Sequence, residues 1–352
     1  MSEPSSEVSG ARVFVSGVAS ASHLVPVAAC VRSVLDAAGD APVTVVDLGV
    51  VRFLGVQRVS EEQLTAALPD DPRLRVVHAR TPGDRVARPQ EALVYVAVGA
   101  PGIKPWLRLV AANRRRPRCL VVDEGLGTYG GWRTRWAAGR REGRGALAGL
   151  RAPVRALAVT ASATLLTDER WALHAPGPDG WRTDPRLAAE YRRLLPPSTG
   201  RSGAPVAVLL SQPWVRLGLL SAERYAEALR EVERVCASAG LALLVRPHPV
   251  EDPADLAGLP LQQSALPAEL DRRVVDASVV LGWNSTALVN VVALHGTRAL
   301  RLTLPELDPV ERTMSSRQRS LLAAFVPGPL TLPALAARLR ADDPSGPAGC
   351  SG

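Results

Sequence analysis

The sequence predicts an α/β protein of two Rossmann-like domains whose parallel sheets face a central cleft. Three observations lead there. Short β-branched runs alternate with longer amphipathic stretches, the rhythm of strand–helix–strand units. The segment 194–203, LLPPSTGRSG, breaks that rhythm with the composition of a linker, and the alternation then restarts. The 352 residues suffice for two domains of roughly 150 residues each.

In the first half, Arg12–Val18 reads as a buried strand and His23–Ala38 as a helix ended by Gly39. Pro42–Leu48 is a second strand, and Ser60–Leu68 a helix opened by a serine with Glu62 in its first turn. Arg73–His78 and Arg118–Asp123 are further strands, and Ser162–Thr167 closes the sheet. After the joint come a strand at Pro205–Leu210 and a helix at Ser221–Ala239 with Gly240 at its end. Leu241–Arg246 and Val274–Gly282 are strands, Ser285–Leu294 a short helix, and Thr297–Leu304 a last strand. The expected domains are 1–195 and 204–340, with 341–352 a disordered tail.

Apolar residues make up 47%, charged residues 22% and aromatics 4%, the balance of a globular chain with an aliphatic core. Cys30, Cys119, Cys236 and Cys350 are scattered without a CxxC, so neither a zinc site nor a disulfide framework is expected. The start, MSEPSSE, lacks the basic and apolar regions of a signal peptide, and no apolar run reaches about 18 residues. The expected location is the cytoplasm, with attachment to the inner face of the membrane the alternative.

The net charge of +8 is almost all arginine, Lys104 being the one lysine. Much of it lies in one stretch, Arg133, Arg135, Arg140, Arg141, Arg144, Arg151 and Arg155. Such a stripe suits a phosphate- or carboxylate-bearing partner, and it equally suits a solvated basic loop or the arginine bias of a GC-rich coding sequence. No aromatic-interleaved basic platform accompanies it, so nucleic acid is not an expected partner.

Three segments carry candidate chemistry. In 121–129, VVDEGLGTY, a strand runs into adjacent carboxylates, Asp123 and Glu124, and then into glycines. Mutual repulsion there favours proton uptake by one of them, which makes it a candidate general base; the alternative is a pair of polar caps for the next turn. In 243–249, LLVRPHP, His248 stands between Pro247 and Pro249, suited to neutralising or protonating a phosphate, with Arg246 either a further phosphate contact or structural. In 279–288, VVLGWNSTAL, Gly282 leads through a small-residue turn to Ser285 and Thr286, whose hydroxyls and backbone N–H groups make an anion site or an ordinary helix cap. No GxxxxGK[ST], GxGxxG or HExxH is present.

In this order, Asp-Glu-Gly, His-Pro and then a Ser/Thr pair, the chain resembles the bacterial sialyltransferases and polysialyltransferases. Leu266–Leu270, LPAEL, is similar to the P-x-E element that precedes the Ser/Thr motif in that group. The third motif departs from the family's by reading Asn-Ser-Thr after a bulky Trp283. The resemblance implies a GT-B fold and an inverting transfer from CMP-sialic acid to a glycan hydroxyl, without metal or other cofactor. Asp123 or Glu124 would take the acceptor proton. His248 would hold and protonate the CMP phosphate, Ser285 and Thr286 would bind it, and Glu269 would contact the nucleotide sugar or base. Gly125, Ser20, His23, Arg133 and Arg135 are the expected acceptor-side residues. A CDP-linked teichoic-acid-type polymer transferase, which shares an Arg-Pro-His-Pro segment and a Ser/Thr pair, is the nearest alternative. A catalytically silent nucleotide-sugar-binding protein is the other.

Overall fold

A computed structural model describes residues 9–49, 59–142, 148–198, 204–256 and 258–341, leaving aside the side chains of 141–142 and 148–151. The chain divides into two compact units, Met1–Leu194 and Leu195–Gly352.

The first unit runs β1 (Ala11–Ser16), α1 (Leu24–Ala37), β2 (Val43–Asp47), α2 (Glu61–Ala67), β3 (Leu74–His78), β4 (Ala92–Val98), α3 (Ile103–Asn113) and β5 (Arg118–Val122). It continues through α4 (Trp132–Glu142), α5 (Ala148–Leu165), β6 (Glu169–Trp171), β7 (His174–Gly177), β8 (Gly180–Thr183) and α6 (Pro185–Leu194). Six strands form a parallel sheet in the order β3-β2-β1-β4-β5-β6, while β7 and β8 make a separate antiparallel hairpin. On central β1, Val13, Phe14 and Val15 are wholly buried, as a strand covered on both faces requires. Each such side chain contributes about 1.5–3 kcal/mol. From β1 the chain moves to β2 and β3, then returns to β4 on the other side of β1. Loops after β1 and β4 therefore depart in opposite directions, which opens a crevice at their carboxyl ends.

Several sequence expectations are corrected in this unit. Ser162–Thr167 is not a strand; most of it ends α5. An alanine-rich helix continues to Leu165, and threonine hydroxyls bond the carbonyls four residues back: Thr164 to Thr160 at 3.0 Å and, just past the helix, Thr167 to Ala163 at 2.8 Å. The edge strand is β6 instead. The basic stretch is not a loop but lies on α4 and α5, although Arg144 and the side chains of Arg141 and Arg151 lie outside the described residues. β4 went unread because ALVYVAV is an unbroken apolar run with no alternation, the pattern of a fully buried strand.

The second unit runs β9 (Val206–Leu210), α7 (Ala222–Ser238), β10 (Ala242–Arg246), α8 (Arg272–Val275), β11 (Val279–Gly282) and α9 (Thr286–His295). β12 (Ala299–Arg301), α10 (Asp308–Thr313), α11 (Ser316–Phe325) and α12 (Leu332–Ala341) complete it. Its sheet is parallel throughout, in the order β10-β9-β11-β12, and the chain adds β10 on one side of β9 and β11 on the other. Ala207, Leu209, Val245, Val279 and Leu281 of the sheet pack with Tyr225, Leu229 and Val232 of α7. Ser221 starts α7 by accepting the Arg224 N–H at 3.2 Å.

Here too the boundaries shift. The expected strand Val274–Gly282 begins as α8, because the Asp271 carboxylate accepts the Arg273 N–H at 3.0 Å and caps a helical turn. The last strand is only Ala299–Arg301, with Leu302 adding one bridge to Leu330. Ala341 belongs to α12 rather than to a tail; residues 342–352, including Cys350, and 199–203 of the expected linker lie outside the described residues. Cys30, Cys119 and Cys236 are buried free thiols. Among the described residues no helix is long and apolar enough to cross a membrane.

Candidate active site

Strand register determines which residues share the carboxyl edge of the first sheet. Val98 pairs with Val122, and Val122 with Trp171, so Gly99 and Asp123 emerge side by side. The Asp123 N–H donates to the Trp171 carbonyl at 3.2 Å, and the Gly99 N–H to Val122 at 2.9 Å. Asp123 Oδ2 accepts from the Tyr129 hydroxyl at 2.8 Å and from the Leu173 N–H at 2.6 Å. Its other oxygen, Oδ1, is buried without a hydrogen-bond partner. Burial pushes the Asp123 pKa up to about 6, although those two hydrogen bonds and one from the Thr128 side chain pull it down. Repulsion between neighbouring carboxylates, the cause expected from the sequence, is not the source of this shift. Desolvation of its own carboxyl supplies it instead.

Glu124 donates its N–H to the Thr128 hydroxyl at 3.0 Å. Its carboxylate lies over Gly99 and Gly127, where a Cβ on either glycine would collide with it. Gly125 follows with φ 99°, a left-handed conformation that glycine adopts without strain and that turns the chain sharply after the two acids. Half-buried Arg135 lies within electrostatic reach of Glu124 and donates to the Thr160 hydroxyl at 3.2 Å. Arg133 is exposed above the Trp132 ring, 5.7 Å from its centroid. The loop after β1 carries Ser20, paired with the Ser22 hydroxyl at 2.8 Å, and His23, whose Nδ1 accepts the Ala19 N–H at 3.1 Å.

In the second sheet, Arg246, Leu210, Gly282 and Arg301 form one row across four strands. This row brings the His-Pro and Ser/Thr segments to one edge. His248 is half-buried, and its backbone N–H donates to the Ser211 hydroxyl at 3.1 Å and to Glu251 Oε2 at 2.6 Å. Ser211 donates in turn to the same carboxylate and to the Arg246 carbonyl. Burial raises the Glu251 pKa, and its Oε1 is buried without a hydrogen-bond partner. Pro247 is half-buried and Pro249 exposed on either side of the histidine.

The Arg246 guanidinium is occupied by the Asp271 carboxylate and the Leu266 carbonyl, and Asp271 also accepts from Gln262 Nε2 at 2.7 Å. These contacts tie the segment 262–271 over the end of β10. Glu269 is 2% exposed; its Oε1 accepts from Asn290 Nδ2 at 2.7 Å, and its backbone carbonyl pairs with His295 Nε2 at 2.9 Å. Glu269 is thus fastened to α9.

Gly282 ends β11 below the turn into α9, and a Cβ there would have ordinary contact with the Leu210 carbonyl at 3.5 Å. Ser285 occupies the helix-start position but makes no side-chain cap bond, and Thr286 is the first helical residue. The opening N–H groups of a helix have no partner within it, so this turn presents donors. Trp283, the departure from the family pattern, is a core residue tilted against Tyr225 at 5.8 Å. Asn284 donates to Glu311 Oε1 at 2.8 Å and accepts from Arg301 Nη1 at 3.0 Å.

Sequence reasoning missed Ser211, Glu251, Arg301 and Glu311. Ser211 and Arg301 were findable as the residues that follow or end an apolar strand; Glu251 and Glu311 carry no motif. Among the described residues no group of three or more His, Cys, Asp or Glu is placed to hold a metal ion.

No protein-family model matches the chain, and no curated protein does. Solved structures do. The S. aureus MnaA–UDP co-structure is 11% identical, at TM-score 0.52, covering 95% of this chain and 88% of that one. A Listeria monocytogenes protein provisionally designated a UDP-N-acetylglucosamine 2-epimerase is 10% identical at TM-score 0.52, with 94% and 86% covered. Arabidopsis thaliana UGT89C1 with UDP-L-rhamnose is 11% identical at TM-score 0.46, with 94% and 88% covered. At these identities the likeness is one of fold. The fold class is GT-B, two α/β units each built on a parallel sheet.

Proposed function

We propose that the chain is an inverting glycosyltransferase of the sialyltransferase type, moving sialic acid from CMP-sialic acid to a hydroxyl of a glycan acceptor. The observation that carries this reading is Asp123. A carboxyl at a sheet's carboxyl edge, raised to about 6 by burial and with one oxygen unpartnered, is suited to accept a proton near neutral pH. The order of motifs supports the donor class, and the shared fold supports a nucleotide-sugar substrate.

In the proposed reaction Asp123 takes the proton of the acceptor hydroxyl as the hydroxyl oxygen attacks the anomeric carbon. The bond to the CMP phosphate breaks, and the electron pair leaves with it. His248 stabilises and protonates the departing phosphate, while Ser285, Thr286 and the first N–H groups of α9 hold it. These donors take the part a divalent ion plays elsewhere, so the reading requires neither metal nor cofactor. Pro247 and Pro249 restrict the His248 backbone, Arg246 anchors the adjoining segment, and Glu269 and Gly282 shape the approach to α9. Gly125, Ser20, His23, Arg133 and Arg135 belong to the acceptor side.

The test is incubation with CMP-sialic acid and a panel of glycans, following free CMP and labelled product. CDP-glycerol and UDP-N-acetylglucosamine serve as parallel donors. Release of CMP that depends on acceptor and falls in Asp123→Asn supports the reading. Turnover of CDP-glycerol alone replaces it with teichoic-type transfer. Epimerisation of UDP-N-acetylglucosamine alone, or nucleotide binding with no turnover of any donor, overturns it.

A further inference from the structure

The α4–α5 hairpin is built inside out. The side of α5 that packs inward is small: Ala152, Ala156 and Ala163 are buried. Gly139 of α4 lies against Ala152, and Arg135 reaches Thr160 across the pair. The large apolar side chains are outside. Val154, Leu157 and Leu165 are 69%, 68% and 72% exposed. With half-buried Ala161 between them, 154, 157, 161 and 165 are spaced three and four residues apart, one apolar stripe along the helix. A helix made only to cover its own sheet shows the reverse arrangement. On α4, Trp132 is 47% exposed and stacked on Trp136, with ring centroids 5.7 Å apart.

Charge identifies the occupant. Residues 131–165 contain seven arginines against one carboxylate, that of Glu142, and among the described side chains Arg133, Arg140 and Arg155 are exposed while Arg135 turns to Thr160. A second copy of this chain would bring arginine against arginine. An acidic glycan would use the arginines and leave the aliphatic stripe uncovered. An anionic lipid surface uses both: aliphatic side chains enter at the boundary of headgroups and acyl chains, indole rings lie at headgroup level, and guanidinium groups meet phosphates.

We propose that the α4–α5 hairpin is a membrane-docking face, with Val154, Leu157 and Leu165 inserting into an anionic bilayer surface while Arg140 and Arg155 bind its phosphates. It places the first unit on a membrane without spanning it. The inference is independent of the donor and base proposed above.

The test is sedimentation of the full chain with phosphatidylcholine vesicles, with and without phosphatidylglycerol. The expected result is binding only to the anionic vesicles, weakening as salt rises. Leu157→Glu with Leu165→Glu should weaken it about tenfold or more, and Arg140→Gln with Arg155→Gln roughly 25-fold, about fivefold for each charge. All four positions are exposed, so melting temperatures should stay at the parent's value and separate docking from folding. The proposal is overturned by no sedimentation with anionic vesicles, or by binding that both double variants retain. Self-association that Leu157→Glu abolishes, with no lipid binding, would make the face an interface between copies. Capture of a soluble acidic glycan with no lipid binding would make it a carbohydrate surface.

Discussion

The surroundings of Asp123 and of Arg246 hold their charged groups differently, although the second sheet edge also buries a carboxyl, Glu251, with one oxygen unpartnered. At the first, the Asp123 carboxyl is buried with neutral or backbone partners on one oxygen and none on the other. At the second, the ends of the outer strands are ion-paired, Arg246 with Asp271 and Arg301 with Glu311. Burying an unpaired carboxylate favours its protonated form, so the first edge is tuned for exchanging a proton. A buried ion pair contributes little net stability but tolerates one geometry, so the second edge is tuned for shape. There the fixed pairs frame the His248 ring and the start of α9.

The strongest way to break this contrast is Asp123→Asn. The amide keeps an acceptor for Tyr129 and Leu173 but cannot take a proton, so turnover should fall by about 10²–10⁴ while CMP still binds. With the folded pKa near 6, the active base form is lost as pH drops below that value, so the parent's rate should rise with pH through about 6. Initial rates of CMP release between pH 5 and 8 check both points. A full-rate variant, or one in which Glu124→Gln alone abolishes turnover, moves the base to Glu124.

How much of this was legible follows the same divide. The strands that lead into motifs, Arg118–Val122, Ala242–Arg246 and Val279–Gly282, could be read, apart from the start of the last, because apolar runs give way there to polar or small residues. Asp123, His248 and Ser285 stand within three residues of those ends and so could be singled out as candidates. Hidden were the groups whose importance depends on register. Nothing in the sequence near Glu251 shows that its carboxylate holds the backbone of His248, nor that Asp271 meets Arg246 across 25 residues. The cause of the Asp123 shift was equally hidden, since adjacent acids look coupled in sequence while only the fold shows that burial of Asp123 sets its shift. The inside-out hairpin escaped because alanine and leucine score alike as apolar, and only packing shows which of them faces inward.

A second test removes one partner of the buried pair. Asp271→Ala strands the Arg246 guanidinium and leaves Gln262 without its acceptor, which should cost about 3–5 kcal/mol by urea denaturation. Replacing both partners with apolar residues, Arg246→Met with Asp271→Leu, should recover most of that loss. Recovery of stability without recovery of CMP affinity would sharpen the contrast, because it separates shape from energy at this edge. A loss below about 1 kcal/mol in Asp271→Ala would show that the pair is solvated and frames nothing.

Stability against pH tests the first edge without any assay of activity. Asp123 binds its proton more tightly folded, near 6, than unfolded, near 3.8. Between those values the native state carries the extra proton, so this group's contribution to stability declines as pH rises from about 4 to about 6. The loss totals about 3 kcal/mol and persists at higher pH. Asp123→Asn has no such dependence. The variant's unfolding free energy minus the parent's should therefore climb across that window and level off above it. A difference independent of pH would mean that the carboxyl is not buried in solution.

The smallest effect compares two serines that both start helices. Ser221 accepts the Arg224 N–H at 3.2 Å, so Ser221→Ala should cost about 1 kcal/mol, the usual worth of a cap. Ser285 makes no cap bond, so Ser285→Ala should cost less than about 0.5 kcal/mol. If its hydroxyl serves a bound phosphate, the same change should weaken CMP about five- to tenfold, the loss of one hydrogen bond, while Ser221→Ala leaves CMP untouched. Thermal denaturation and calorimetry on the two variants measure both quantities. Equal losses of stability with unchanged CMP affinity would make Ser285 an ordinary cap, and the phosphate donors proposed at the second edge would reduce to His248 and the N–H groups of α9.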